Sequence, residues 1–214
     1  ANNPTPLEFC DPDNDGFGIF TLTNADAEIT GGVAGLSVSY HETQADADSN
    51  VNPLSSPYSN IVANLQTVYA RVESSTIATD CATIVTLQLI VQPTPIVPQT
   101  IDELVLCDTN QDGITQFDLN SKSAEILGSQ DPLNFTLTYH LTLADAEQSI
   151  NPIVNTGNFT NTSNPQTIYV SLQGLNGCIT TGLFDIRADL PPITPVGRWA
   201  ITSFKLMRKT TPTP

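Results

Sequence analysis

The chain has 214 residues, of which 22 are acidic and 7 are basic, and its formal net charge is −15. A surface of this sign repels nucleic acid and anionic lipid and attracts cations, above all Ca²⁺. No apolar run approaches the ~20 residues that a membrane span needs, so we expect neither nucleic-acid binding nor membrane insertion. The sequence has no signal peptide, and we therefore expect a processed or excised piece of a longer, exported protein.

The chain contains one unit twice. Residues Leu7–Leu22 return as Leu104–Leu119, and residues Tyr40–Leu54 return as Tyr139–Ile153. Each unit spans roughly 90–100 residues, which is enough to bury one modest core. Tandem repeats are typical of mechanical or display proteins and seldom of catalysts.

Proline-rich stretches separate the units and predict semi-extended connectors. We predict the end of a linker at 1–6, repeat 1 at 7–92, a linker at 93–103, repeat 2 at 104–192 and a tail at 193–214. From Gly197 onward the tail matches neither repeat, holds the only Trp and the only Met, and receives no function.

Apolar and polar side chains alternate within each unit. Residues 36–41 and 135–140 both place an apolar side chain at every second position. This alternation predicts antiparallel sheet with one wet side, and hence an all-β fold of two tandem Ig-like β-sandwich repeats. His41 and His140 fall on the polar face, where we expect them to be exposed.

Short helical turns are predicted at the corners of the sheets. Thr43 and Asp46 form a capping-box pattern, and Thr142 and Asp145 repeat it. In this pattern the threonine side chain accepts a hydrogen bond from a backbone amide three residues later, which favours the start of a helix.

The four cysteines allow three pairings. Cys10 and Cys81 recur 97 residues later as Cys107 and Cys178, so the repeat favours the pairs Cys10–Cys81 and Cys107–Cys178, each within its own unit. Each bond would close a loop of about 70 residues and stabilise its unit by roughly 4 kcal/mol. Paired cysteines indicate an oxidising compartment, and the alternative is four reduced, buried thiols.

One pattern of oxygen ligands recurs after the first cysteine of each unit, and it matches the front half of a calcium loop. The predicted ligands are Asp11, Asp13, Asp15 and the carbonyl of Phe17 in the first loop, and Asp108, Asn110, Asp112 and the carbonyl of Ile114 in the second. A glycine after the third position permits the sharp turn.

The back half of the calcium loop is missing, because Leu22 and Leu119 stand where a bidentate acid is expected. A remote acid would have to complete the shell, and the candidates are Asp46, Asp48, Asp145 and Glu147. The alternative is that Asp, Asn and Gly serve only as turn formers.

Catalytic chemistry has little support, because no nucleophile–base pair stands out, and we expect no enzyme. The motif order CDxxxDGxxxFDL, AEIxG, YxxTxADAxxxxNPI and NPQTIYV, followed by a second cysteine, resembles the repeat units of large secreted Bacteroidetes surface proteins. These are flavobacterial adhesins and gliding-motility-type proteins exported by the type IX secretion system. The resemblance covers about residues 7–192, although repeat 1 has IVANLQTVYA in place of NPQTIYV.

The sequence therefore predicts a structural or adhesive repeat segment of a cell-surface adhesin, acting as a stiff extracellular stalk with Ca²⁺ as a candidate ligand. Its expected partners are neighbouring repeats of the same chain and an extracellular glycan or protein. The alternatives are a glycan- or protein-binding module in its own right and an accessory region of a secreted hydrolase. The predicted export route and surface attachment rest on this resemblance alone.

Overall fold

The computed structural model describes residues 1–74 and 81–190, so the predicted tail lies outside the described residues. Repeat 1 holds the strands β1 (Leu7–Asp11), β2 (Ile19–Phe20), β3 (Leu36–His41), β4 (Tyr58–Ser59), β5 (Leu65–Ser74) and β6 (Ala82–Pro93). Repeat 2 holds β7 (Leu104–Cys107), β8 (Gln116–Phe117), β9 (Phe135–His140), β10 (Phe159–Thr160), β11 (Gln166–Gly174) and β12 (Ile179–Asp189).

The two repeats have the same sheet topology. Repeat 1 orders its main sheet β1-β6-β5-β3 and pairs β2 with β4, and repeat 2 orders its main sheet β7-β12-β11-β9 and pairs β8 with β10. In each main sheet one edge strand pairs in parallel with its neighbour, β1 with β6 and β7 with β12. The other ladders of the main sheets are antiparallel. The predicted all-β class with two tandem Ig-like repeats is confirmed.

Short helices connect the strands. They are α1 (Asp26–Thr30), α2 (Gln44–Ser49), α3 (Ser123–Leu127) and α4 (Leu143–Gln148), with 3-10 turns at Leu22–Ala25, Leu119–Lys122, Pro132–Asn134 and Thr156–Asn158. The predicted capping boxes are confirmed, because Thr43 accepts from the amide of Asp46 and Thr142 from that of Asp145, both at 3.1 Å.

The core of each repeat lies between its main sheet and a second layer built from the two-stranded sheet and helical turns. Val68, Leu87 and Leu89 pack from the main sheet against Leu22 and Ile29 in repeat 1. Ile168, Phe184 and Ile186 pack against Leu119 and Ile126 in repeat 2. Every one of these side chains is almost fully buried, and each contributes roughly 1.5–3 kcal/mol to folding.

The prediction that the two histidines are exposed is wrong, because both are fully buried. Helix α2 packs on β3 and β5 and covers the face of the sheet that the alternation had marked as wet. His41 Nδ1 lies 2.7 Å from the carbonyl of Val51, and its Nε2 lies 3.0 Å from the hydroxyl of Ser39. His140 makes the matching contacts in repeat 2, so these residues tie a loop to the sheet.

Candidate functional site at the junction of the repeats

A disulfide between the two repeats closes their junction. Cys10 in β1 is bonded to Cys178 in the turn before β12, with their Cα atoms 5.6 Å apart. Cys81 and Cys107 are exposed free thiols. The predicted pairs Cys10–Cys81 and Cys107–Cys178 are therefore wrong, since neither bond exists within a repeat.

The length of one strand explains why the intra-repeat pairing fails. Cys10 lies opposite Gln92 near the end of β6, whereas Cys81 immediately precedes the start of this 12-residue strand. At about 3.3 Å per residue the two cysteines are more than 30 Å apart along the sheet. A disulfide requires Cα atoms within about 7 Å, so only a cysteine from the neighbouring repeat can reach Cys10.

The linker is hydrogen-bonded to repeat 1 through Thr94. Its hydroxyl donates to the carbonyl of Asp11 at 2.7 Å. The Thr94 amide donates to Asn14 Oδ1 at 2.9 Å, and Asn14 Nδ2 donates to the Thr94 carbonyl at 3.2 Å. The aspartate-rich loop of repeat 1 therefore also anchors the linker.

The linker is bonded to repeat 2 as well. Asn176 Nδ2 donates to the carbonyl of Pro93 at 2.7 Å, and the Thr180 hydroxyl donates to that of Pro95 at 2.6 Å. Val97 lies over Gly182, where an added Cβ would come within 2.6 Å of a Val97 methyl carbon. Glycine is needed here because any side chain would push the linker away from the sheet.

The carboxylate of Asp11 is buried and organises the first loop. The amides of Asn14 and Gly16 donate to its two oxygens at 2.9 and 2.7 Å, and the amide of Asp13 adds a third bond at 3.2 Å. Burial raises the pKa of Asp11, but these hydrogen bonds to the charged form outweigh it, so the net pKa is lowered.

Three carboxylates converge in this first loop. Ligand oxygens of Asp11, Asp13 and Asp15 all lie within 4.8 Å of one another, as predicted from their spacing. The pKa of Asp13 is raised, because its carboxyl shares a hydrogen bond with Asp11 and lies beside the charge of Asp15. These oxygens fit a hard cation such as Ca²⁺, which would relieve the repulsion.

The second loop has the same backbone and a different charge balance. Asp108 accepts from the amides of Gln111 and Gly113 at 2.9 and 2.6 Å, as Asp11 does in repeat 1. Asn110 Nδ2 donates to Asp112 Oδ2 at 2.8 Å, so a hydrogen bond replaces the repulsion between two carboxylates. This loop offers a cation two carboxylates instead of three.

Hydrogen bonds hold the other predicted ligand residues in place. The amides of Phe17 and Ile114 donate to Asp15 and Asp112 at 2.8 Å and so tighten the two loops. The remote candidates Asp46 and Asp145 accept hydrogen bonds from the capping threonines and from Asn52 and Asn151. The structure brings none of the four remote candidates, Asp46, Asp48, Asp145 and Glu147, into the carboxylate cluster of the first loop.

A buried asparagine in each repeat was missed by the sequence analysis. Asn60 Oδ1 accepts from the amide of Gly18 at 2.6 Å, and its Nδ2 donates to the carbonyl of Gly16 at 3.0 Å. Asn161 makes the matching bonds to Thr115 and Gly113. The signal available was the recurrence of this asparagine five or six residues before the QT(V/I)Y motif of both repeats.

No helix of the described part of the chain is long and apolar enough to cross a membrane.

A family model described as "Flavobacterium inter-domain disulphide bond domain" matches residues 6–95 and again residues 103–192. The match confirms a tandem arrangement of a flavobacterial type of repeat, and its description agrees with the Cys10–Cys178 bond. No curated protein matches the chain.

Several solved structures resemble the chain distantly. They include human mucin-like protocadherin EC1-2 (13% identity, 88% of this chain and 97% of that chain, TM-score 0.27), Drosophila N-cadherin EC1-4 (11%, 87% and 49%, 0.25) and Bacteroides ovatus SGBP-B of a mixed-linkage glucan utilization locus, in complex with a heptasaccharide (11%, 86% and 43%, 0.22). Similarities with TM-scores this low support no functional inference.

Proposed function

This chain belongs to the family of Flavobacterium inter-domain disulphide bond domains, and we propose that it is a structural segment of an extracellular protein. In this role consecutive repeats are locked end to end. The observation that carries the proposal is the Cys10–Cys178 bond between the repeats. Disulfides persist in oxidising compartments, which supports a location outside the cytoplasm.

The lock combines a covalent bond with an ordered linker. Thr94 is bonded to the first repeat, whereas the carbonyls of Pro93 and Pro95 accept from the second. Domains joined by a free linker move relative to one another by default. The disulfide and the hydrogen-bonded linker beside it restrict that motion, and a stiff segment results.

The two free cysteines are placed to form the same kind of bond with further repeats, in which the first cysteine of one repeat pairs with the second cysteine of the next. Cys81 corresponds to Cys178 and lies at the end of repeat 1 that is remote from the junction, while Cys107 corresponds to Cys10 on repeat 2. Head-to-tail contacts of this kind repeat without closing on themselves. The proposed partners of Cys81 and Cys107 are therefore cysteines of a preceding and a following repeat of the same chain.

The finer role that we propose is a non-catalytic, adhesive stalk of a cell-surface protein of the gliding-motility type, exported by the type IX secretion system. Family membership and the resemblance of the repeat motifs support this role. A net charge of −15 supports it further, because charged surfaces keep adjacent stalks apart.

Ca²⁺ is the ligand that we propose for the first aspartate loop. Asp11, Asp13 and Asp15, with the carbonyl of Phe17, would hold the ion, and Asp11 is already positioned by backbone amides. The loop also bonds the linker through Asn14, so a bound ion would stiffen the junction itself. The second loop is a weaker candidate because Asn110 replaces one carboxylate.

Small-angle X-ray scattering of two matched double variants tests the proposed lock. Cys10→Ser with Cys178→Ser is expected to broaden the distribution of distances between the repeats, because only the linker then joins them. Cys81→Ser with Cys107→Ser removes two thiols outside the junction and is expected to scatter like the native chain. Identical profiles for both variants would show that the disulfide does not stiffen the segment.

A further inference from the structure

Repeat 1 exposes an apolar surface at its loop end, close to the junction. The surface, named here the apolar patch, consists of Phe17, Ile19, Ile61, Val62 and Leu65, with exposed fractions between 43% and 64%. Single exposed apolar side chains are ordinary, but a group of them on adjoining segments marks an interaction site.

The patch is held in place by the backbone. The amide of Asn64 donates to the carbonyl of Gly16 at 2.9 Å, and Ile19 pairs with Ser59 across β2 and β4. The buried Asn60 side chain bonds the same two segments together at Gly18. The side chains of the patch therefore project from a preorganised support, which lowers the entropic cost of binding.

Repeat 2 shows that the fold does not require apolar residues at three of these five positions. The equivalent side chains are Ile114, Gln116, Thr162, Ser163 and Pro165. The support is unchanged, because Gln166 accepts from the amide of Thr162 as Gln66 accepts from that of Ile61, both at 2.7 Å. Since polar residues suffice at three of these positions in repeat 2, folding does not explain the apolar Ile19, Ile61 and Val62 of repeat 1.

A groove of about 230 Å³ lies beside the patch. Phe9, Phe17 and Ile19 line it, and the exposed Asp13 and Asp15 lie at its rim. The Phe9 ring approaches Gly18 so closely that an added Cβ would be 2.4 Å from a ring carbon. The floor of the groove is thus apolar, and its rim is negatively charged.

The acidic rim has no basic partner among the residues that the structure describes. The ion pairs found there involve Arg71, Lys122 and Arg187, and none of them reaches Asp13 or Asp15. An apolar floor beside two unpaired carboxylates complements a ligand that is apolar with an adjoining positive charge.

We propose that the apolar patch and its groove bind a peptide segment of a partner protein in which apolar side chains adjoin a lysine or arginine. The apolar side chains would fill the groove over Phe9 and Phe17, and the basic group would pair with Asp13 or Asp15. The proposed site requires only repeat 1, so it is independent of the proposed disulfide lock. A bound Ca²⁺ would compete with the basic group for Asp13 and Asp15.

The probe for the test is a short, fluorescently labelled peptide that alternates leucine with lysine, and the measurement is fluorescence anisotropy with the full chain in excess chelator. The key variant carries Phe17→Ile, Ile19→Gln, Ile61→Thr and Val62→Ser, which installs the residues of repeat 2 without changing the charge. We expect its affinity to fall about tenfold or more, because buried apolar anchors dominate such interfaces.

Two further measurements separate the patch from general attraction between a cationic peptide and an acidic protein. The reciprocal variant, Gln116→Ile with Thr162→Ile and Ser163→Val, is expected to add a second binding site on repeat 2. Asp13→Asn with Asp15→Asn is expected to weaken the leucine–lysine peptide more than a leucine–serine peptide. Equal affinity of the native chain and the key variant, or no binding to the native chain, would refute the proposed site.

Discussion

Arg71 of repeat 1 and Ser171 of repeat 2 occupy the same position beneath a corner helix, opposite Ser39 and Thr138 in their sheets. The Arg71 guanidinium is almost fully buried, and its Nη1 donates to the carbonyls of Ala47 and Asp48 at 2.9 and 3.2 Å.

Ser171 is also fully buried, but its hydroxyl has no hydrogen-bond partner among the described residues. Repeat 1 therefore uses a charged side chain to satisfy the last carbonyls of α2, and repeat 2 forms the same helix without one. Because the sheet and helix are alike in both, this position does not determine the fold. It sets how firmly the corner helix is attached.

Residues that are identical in the two repeats also make identical contacts. Asp11 and Asp108, like His41 and His140, make the same backbone contacts in both units. The differences lie outside this network, at the corner helix, in the aspartate loops and at the face that meets the linker. The shared network holds the loops, and the variable positions adapt each repeat to its neighbours.

The largest expected effect is the loss of the arginine from repeat 1. Arg71→Ala removes the guanidinium donor from the carbonyls of Ala47 and Asp48, breaks the ion pair with Glu73, and opens space under α2. We expect the free energy of unfolding to fall by about 3 kcal/mol, because a buried hydrogen bond to a charged group is worth roughly 1.5–3 kcal/mol and packing under α2 is lost as well. Urea denaturation measures the change, and a loss below about 0.5 kcal/mol would contradict this role.

The next effect concerns the face that meets the linker, where repeat 1 has Val85 and repeat 2 has Gly182. Gly182→Val places methyl groups where Val97 lies, and we expect a loss of about 2 kcal/mol, typical of overpacking. Thermal unfolding measures it. Val85→Gly is the matched control, because it creates a cavity in repeat 1 without touching the linker, so it should leave the small-angle scattering profile unchanged.

The aspartate loops are compared through calcium. We expect millimolar Ca²⁺ to raise the melting temperature of the native chain by several degrees over chelator, since the folded state alone would bind the ion. Asp15→Ala should remove most of this rise, and Asp112→Ala should remove little, because the second loop has one carboxylate fewer. If each variant lowers the melting temperature by the same amount in calcium and in chelator, the loops do not bind the ion and serve only as turns.

Ser171→Ala tests the equivalent position beneath α4 of repeat 2. Removing a buried hydroxyl without a partner costs no hydrogen bond, so we expect stability to be unchanged or to rise by up to about 1 kcal/mol. Denaturant titration measures it beside Arg71→Ala. A clear destabilisation would indicate that the hydroxyl has a partner, such as an ordered water.

The smallest effect is the acid dependence that the two capping boxes share. The Thr43 hydroxyl and the Asn52 amide lower the pKa of Asp46, and Thr142 and Asn151 lower that of Asp145. A carboxylate with a lowered pKa stabilises the fold above its ordinary pKa, and this contribution disappears as the pH falls through the lowered value.

We therefore expect the melting temperature of the native chain to fall as the pH drops below about 4. We expect a smaller fall for Asp46→Asn and for Asp145→Asn, and the same fall for both variants. Melting temperatures between about pH 5 and about pH 2 measure the slopes. A difference between the two variants would show that the repeats are not equivalent at this corner.

Local sequence patterns are sufficient to predict the features that depend on neighbouring residues. The alternation at 36–41 and 135–140 predicted strands because side chains of a strand face opposite sides with period two. The capping boxes at Thr43 and Thr142 followed from the spacing of hydroxyl and carboxyl groups within one turn. The convergence of Asp11, Asp13 and Asp15 followed from a turn of only five residues.

Tertiary packing determines which cysteines pair and which polar faces are covered. Cys10 and Cys81 share a repeat, yet a whole strand separates them, so the partner of Cys10 comes from repeat 2. His41 lies on a face that alternation marks as wet, but α2 folds over it and buries it. The disulfide joins residues that are 168 positions apart, and the burial of His41 depends on how α2 folds back over the sheet. The alternation of side chains within one strand encodes neither.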